Sequence, residues 1–273
     1  MTTSPQAQSA IGVFDSGVGG LSVLREIRRA LPNEDLFYVA DTRHAPYGDR
    51  QDEFIKDRAA TIVQFLLSQQ VKAIVVACNT ATAVAIQNLR SRFNITLVAI
   101  EPAVKPATEI TRSGVIGVLA TRQTLESERF SALVEKHGGG VEILLQACPG
   151  LVEQVEAAQL DGRETHALVA RYVSPLLARG ADTLVLGCTH YPFLNSIIKN
   201  IAGPAVTLID PAAAVARELS RRLASEQLLT QNLAPGTERF WSSGAAEQVA
   251  PIISKLWEKP ALVTEMQLLT SPQ

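Results

Sequence analysis

Long apolar runs, blocks of like charge and paired metal ligands are all missing from this 273-residue chain. No uninterrupted apolar stretch approaches the roughly 20 residues of a bilayer-spanning helix, so no membrane association is expected. Lys and Arg number 25 against 27 Asp and Glu, a formal net charge of −2, and no segment concentrates one sign. Nucleic acid is therefore not an expected partner, since it needs a basic footprint. Neither CxxC nor HxxxH spacing occurs, and no metal site is read from the sequence.

Aromatic residues make up only 5% of the chain while 47% of it is hydrophobic, which suits a soluble α/β protein with one or two cores. Residues 1–10, MTTSPQAQSA, lack the basic start and apolar centre of a secretory signal, which points to the cytoplasm. Cys78, Cys148 and Cys188 are odd in number and widely spaced, so free thiols are expected rather than a disulfide framework.

Short apolar runs alternate with longer stretches of helical period, the pattern of βα units around a mostly parallel sheet. Strands are predicted at 11–14, 36–39, 73–77, 96–100, 115–119, 141–145, 183–186 and 206–209. Helices are predicted at 20–31, 49–70, 80–93, 121–137, 164–179 and 211–224.

The chain also repeats itself. IGVFDSG at Ile11 returns as IGVLATR at Ile116, an offset of 105; Cys78 and Cys188 are offset by 110; Glu101-Pro102 and Asp210-Pro211 by 109. Three matches at nearly one offset predict two similar α/β lobes with mostly parallel sheets; if these face each other across a cleft in a pseudo-twofold relation, an active site would lie in the cleft between them. Proline disfavours helix in the residue before it, so the two Pro-containing pairs are read as crossings. The first lobe is then 1–100 plus 210–273, and 101–209 is inserted as the second.

In open α/β sheets, ligands sit beyond the carboxyl ends of the strands. Two cysteines fall at that level, in AIVVACNTAT and TLVLGCTHYP. Cysteine is also a common buried hydrophobe, and Cys148 is assigned to that role. Cys78 and Cys188 differ because polar Asn79-Thr80 and Thr189-His190 follow them directly. A pseudo-twofold would bring these two thiols to opposite sides of one ligand. Such a pair could remove a proton from one face of a carbon acid and return one to the other.

DSGVGGLSVL, from Asp15, lacks the GxGxxG spacing and the Lys-Ser/Thr of nucleotide loops. It offers N–H groups at a helix start to a carboxylate, or serves as a tight turn. ADTRHAPYGDR, from Ala40, joins the same rim, its Pro46-Tyr47-Gly48 turn presenting backbone groups or reversing the chain.

Together GVFDSGVGGLSV, YVADTRHAPYG, VACNTAT, ACPGLV and LGCTHYPFL resemble the glutamate racemase family across most of the chain. The resemblance implies a racemase of two α/β domains that needs no cofactor, interconverts L- and D-glutamate and supplies D-glutamate for peptidoglycan. Cys78 would deprotonate D-glutamate and Cys188 L-glutamate, with Asp15 assisting the first and His190 the second. Asp15, Ser16, Pro46, Tyr47, Gly48, Asn79, Thr80 and Thr189 would hold substrate, with Glu156 as a supporting acid. Glu153 departs from the proline of LVPLVE-type members. A homodimer is the expected assembly. Regulation by a UDP-linked cell-wall precursor, known in some relatives with longer leaders, is not assigned from the resemblance. Rival readings are aspartate racemisation, a thiol hydrolase or acyltransferase built on Cys188 with His190, and an amino-acid-binding protein.

Overall fold

The computed structural model describes residues 5–267; residues 1–4 of the leader and 268–273 lie outside the described residues. The strands are β1 (Ile11–Asp15), β2 (Leu36–Ala40), β3 (Ala73–Val76), β4 (Thr96–Ala99), β5 (Val115–Ala120), β6 (Glu142–Ala147), β7 (Thr183–Gly187), β8 (Thr207–Ile209), β9 (Glu238–Ser242) and β10 (Val263–Glu265). The helices that cover them are α1 (Leu21–Ala30), α2 (Asp52–Ser68), α3 (Asn79–Arg92), α4 (Val104–Ile110), α5 (Arg122–Glu126), α6 (Glu128–His137), α7 (Leu151–Glu156), α8 (Arg163–Ala178), α9 (Asn195–Ala202), α10 (Ala212–Ser225) and α11 (Ala246–Trp257).

Two sheets result, ordered β10-β9-β2-β1-β3-β4 and β6-β5-β7-β8, and every pairing in them is parallel. Central strands β1, β3 and β7 are buried along their whole length. That is why they read as continuous apolar runs rather than alternating ones.

The repeat extends to register. Ile11 lies opposite Ala73, and Ile116 opposite Thr183; Ala73 in turn faces Thr96, and Thr183 faces Thr207. The order β2-β1-β3-β4 is thus copied as β6-β5-β7-β8. Each cysteine stands five positions past the first residue of the third strand in its copy, Ala73 or Thr183. After β8 the chain returns to the first sheet, where α10 packs on α1. Leu24, Ile27, Leu219 and Leu223 of that helix pair are fully buried, each contributing about 1.5–3 kcal/mol.

The stretch predicted as one helix over 121–137 breaks in two at Ser127, whose side chain accepts from the Phe130 N–H and caps α6. An N-cap serine takes non-helical dihedrals, so it ends one helix as it starts the next. Strands β9 and β10 were not predicted. The first mixes Glu and Arg with its aromatics and the second is three residues long, too short to show a period. Among the described residues no helix is long and apolar enough to cross a membrane.

Candidate active site

Both cysteines lie just past the carboxyl end of a buried strand, and both line one small cavity. Around them the cavity wall is formed by Ser16, Asn79, Thr80, Thr189 and His190. Pro46, Tyr47 and Gly48, in the loop after β2, close it on another side. Asp15 and Glu156 stand behind this wall, each bonded to it. All twelve residues singled out in the sequence therefore meet in one place.

Cys78 caps the N-terminus of α3, its sulfur accepting from the Ala81 N–H at 3.4 Å. The thiol reaches the Ser16 hydroxyl at 3.5 Å. A helix N-terminus lowers a thiol's pKa, but here burial dominates. Burial, and after it the Asp15 carboxylate, push Cys78 up to about 12 against the pull of Ser16. Asp15 is fully buried at the end of β1; it accepts from the Gly20 N–H at 2.9 Å and from the Thr189 hydroxyl at 3.4 Å. Burial raises its pKa, with His190 opposing.

Cys188 meets a different environment. Its sulfur is 3.6 Å from His190 Nδ1, and His190 Nε2 is 2.6 Å from Glu156 Oε1. Burial of the ring works against a charge, yet the bonds to Cys188 and Glu156 prevail and raise the His190 pKa well above its ordinary value. The reason lies in local sequence: Pro192 disfavours helix at Tyr191, so a 3-10 turn over Tyr191–Leu194 follows and α9 starts only at Asn195. His190 sits at the head of that turn and folds back toward the sulfur. Glu156 ends α7, which starts after Gly150 at φ 89°, a left-handed turn that glycine adopts without strain.

Polar groups line the cavity beside the sulfurs. Asn79 is 4% exposed, and neither its amide nitrogen nor its oxygen has a hydrogen-bond partner among the described residues. An orphaned amide in a closed cavity is costly unless a ligand completes it. Thr80 Oγ1 is bonded to Thr121 Oγ1 at 2.9 Å and lies 3.2 Å from Thr124 Oγ1. The Tyr47 hydroxyl donates to Asp41, which Arg58 also holds, fixing the Pro46–Gly48 turn.

Thr121, Thr124 and Val152 were not singled out in the sequence. For Thr121 the repeat contained the signal: it stands five residues after Ile116 as Ser16 stands five after Ile11. Among the described residues no group of three or more His, Cys, Asp or Glu is arranged to hold a metal ion. Two thiols lining one cavity, with a histidine, hydroxyls and an amide beside them, are groups suited to acid/base work on a small polar molecule.

Comparison with known proteins places the chain in a family and a fold. The model of the Asp/Glu/hydantoin racemase family matches residues 11–219. A glutamate racemase of Methylococcus capsulatus is 56% identical over 247 residues, covering 90% of this chain and 91% of that protein. A glutamate racemase isoform from Bacillus anthracis superposes with a TM-score of 0.87 at 37% identity, over 95% of this chain and 98% of its own. A Francisella tularensis glutamate racemase, solved in complex with D-glutamate, gives 0.83 at 28% identity over 96% and 98%.

Proposed function

The chain belongs to the Asp/Glu/hydantoin racemase family, and from that premise we propose that it interconverts L- and D-glutamate by two-thiol proton transfer, without a cofactor. The observation that carries this reading is the pair of thiols, at equivalent register positions, lining one cavity. Cys188, as thiolate beside the His190 cation, takes the α-proton of L-glutamate. Cys78, which keeps its proton at neutral pH because its pKa is pushed up to about 12, delivers that proton to the opposite face. D-glutamate reacts in reverse, from the form that this step leaves behind, with Cys78 as the thiolate and Cys188 as the thiol.

An α-proton is a weak acid, and here no electron-sink cofactor is assigned to receive its charge. Developing charge on the carboxylate falls to Asn79, Thr80 and neighbouring donors in a site that excludes water. Ser16, Pro46, Tyr47, Gly48 and Thr189 complete the hold on substrate, while Asp15 serves Cys78, and Glu156 serves Cys188 through His190. The reading includes a first domain of 1–100 with 210–273, an inserted domain of 101–209, a homodimer, a cytoplasmic location and supply of D-glutamate to peptidoglycan.

Circular dichroism of L-glutamate tests the core of it. Wild type should carry the signal to zero without added metal or pyridoxal phosphate, and Cys78→Ser and Cys188→Ser should each lose that activity. Full activity in either variant removes the two-thiol mechanism. A thiol hydrolase is the second reading, favoured by the Cys188–His190–Glu156 row alone. It predicts an acyl-enzyme burst and no α-deuterium uptake from D2O, and it leaves Cys78 unused.

A further inference from the structure

Cys188 and its two partners come from the second sheet's half of the chain, yet the group that holds Glu156 in place does not. The Val18 N–H, in the loop after β1, donates to Glu156 Oε1 at 2.8 Å. That oxygen is the same one that His190 bonds. The Val18 peptide is itself fixed from below: fully buried Tyr38, on β2, donates its hydroxyl to the Gly17 carbonyl at 2.7 Å. A continuous row therefore runs Tyr38, Gly17, Val18, Glu156, His190, Cys188, crossing from one half of the molecule to the other.

Space along this row is as tight as its bonding. A methyl group at Gly17 would fall inside the contact shell of Glu156 Oε1, and one at Gly19 inside that of the His190 ring. At Gly20 a methyl would lie 2.9 Å from the Tyr38 hydroxyl. The glycines are thus explained by what approaches them and not by a bound phosphate.

We propose that the Gly17–Gly19 stretch is part of the acid/base apparatus of Cys188, with Tyr38 and Gly17 as positioning residues acting through the Val18 peptide and Glu156. The proposal rests on the two-thiol reading above. In the step concerned, the Cys188 thiolate forms a bond to the α-proton of L-glutamate while the C–H electron pair stays on carbon. Cys78 then gives its proton to the other face, and its S–H electron pair returns to sulfur. Moving Glu156 disturbs the His190 cation and so weakens only the Cys188 half of this exchange.

The test uses Tyr38→Phe, which removes the hydroxyl and keeps the ring, and Gly17→Ala, which displaces Glu156. Racemisation has an equilibrium constant of 1, so kcat/KM must fall equally in both directions, by about 10- to 100-fold for a misplacement of this kind. Direction is read from primary isotope effects with 2-deuterio-L- and 2-deuterio-D-glutamate. We expect the effect to grow for L-glutamate, whose C–H bond Cys188 breaks, and to shrink for D-glutamate, whose C–H bond Cys78 breaks. A structural lesion that lowers the active fraction changes neither. Wild-type isotope effects in Tyr38→Phe, or a rise in both directions together, would overturn the proposal. A wild-type enzyme that exchanges no α-proton would instead sink the racemase reading itself.

Discussion

Cys78 and Cys188 occupy one position in two copies of a four-strand pattern, yet their neighbours have little in common. Cys78 is met by uncharged groups: its thiol donates to the Ser16 hydroxyl and its sulfur accepts from an N–H of α3. Cys188 is met by an imidazole already tied to a carboxylate. The duplicated sheet supplies the placing of the sulfurs, while side chains that the two copies do not share supply the surroundings of each. A two-sided proton exchange needs that inequality, because one sulfur must be charged while the other is loaded.

The largest expected effect comes from removing one thiol's partner and then the other's. His190→Asn should lower kcat/KM by about 10³-fold, the scale of a lost acid/base group. Ser16→Ala should lower it by about 10-fold, the scale of one neutral hydrogen bond. Initial rates from both enantiomers, followed by circular dichroism, decide the matter. Equal losses would mean that the two sulfurs are served alike and that the contrast in their surroundings has no chemical weight.

The same contrast governs what could be read from the sequence. Strand-end residues were legible because fully buried parallel strands are apolar throughout, so the first polar group marks the rim. Asp15, Cys78 and Cys188 each stand at such a break. Thr121 was overlooked although the 105-residue offset from Ser16 names it. Tyr38 could not have been found: it lies inside an apolar strand, and only the packing of the Gly17 carbonyl above it gives its hydroxyl a role. Strand β9 was missed for a related reason, since its Glu238 and Arg239 hide the apolar pattern. Glu238 is in fact paired with Arg28 of α1 at 2.7 Å.

A second pair of equivalent positions lies at the opposite ends of the same strands. Lys72 precedes β3 and Asp182 precedes β7, each by one residue. Lys72 is 2% exposed and bonded to Glu34 and to the Ala7 carbonyl. Burial pulls its ammonium down, with Glu34 opposing. Lys72→Met strands the Glu34 carboxylate in the interior and should cost about 3 kcal/mol in a urea melt. Asp182 is half-buried and accepts from the Thr111 hydroxyl at 2.6 Å and the Arg112 and Ser113 N–H groups at 2.8 Å. Burial would raise its pKa, but those donors prevail and hold it below the usual carboxylate range. Asp182→Ala should cost about 1–2 kcal/mol, because the freed donors lie near water. A loss as large as that of Lys72→Met would show that the second half depends on its anchor as much as the first.

The smallest effect is a slope with pH, and between about pH 6 and pH 9 its main source is the histidine beside Cys188. A histidine whose pKa is raised by folding holds its proton more tightly in the native state than in the unfolded chain, where it titrates near 6.5. Its contribution to stability is complete below that value and is lost as pH climbs through the higher folded one. Buried Asp15, raised from 3.8, adds a loss of the same sign that begins at lower pH. Urea midpoints between about pH 6 and pH 9 should therefore fall more steeply for wild type than for His190→Asn. Ser16→Ala, which removes no titrating group, should run parallel to wild type. Parallel lines for His190→Asn as well would mean that the imidazole carries no extra proton in the fold, and the charge assigned to the neighbour of Cys188 would have to be withdrawn.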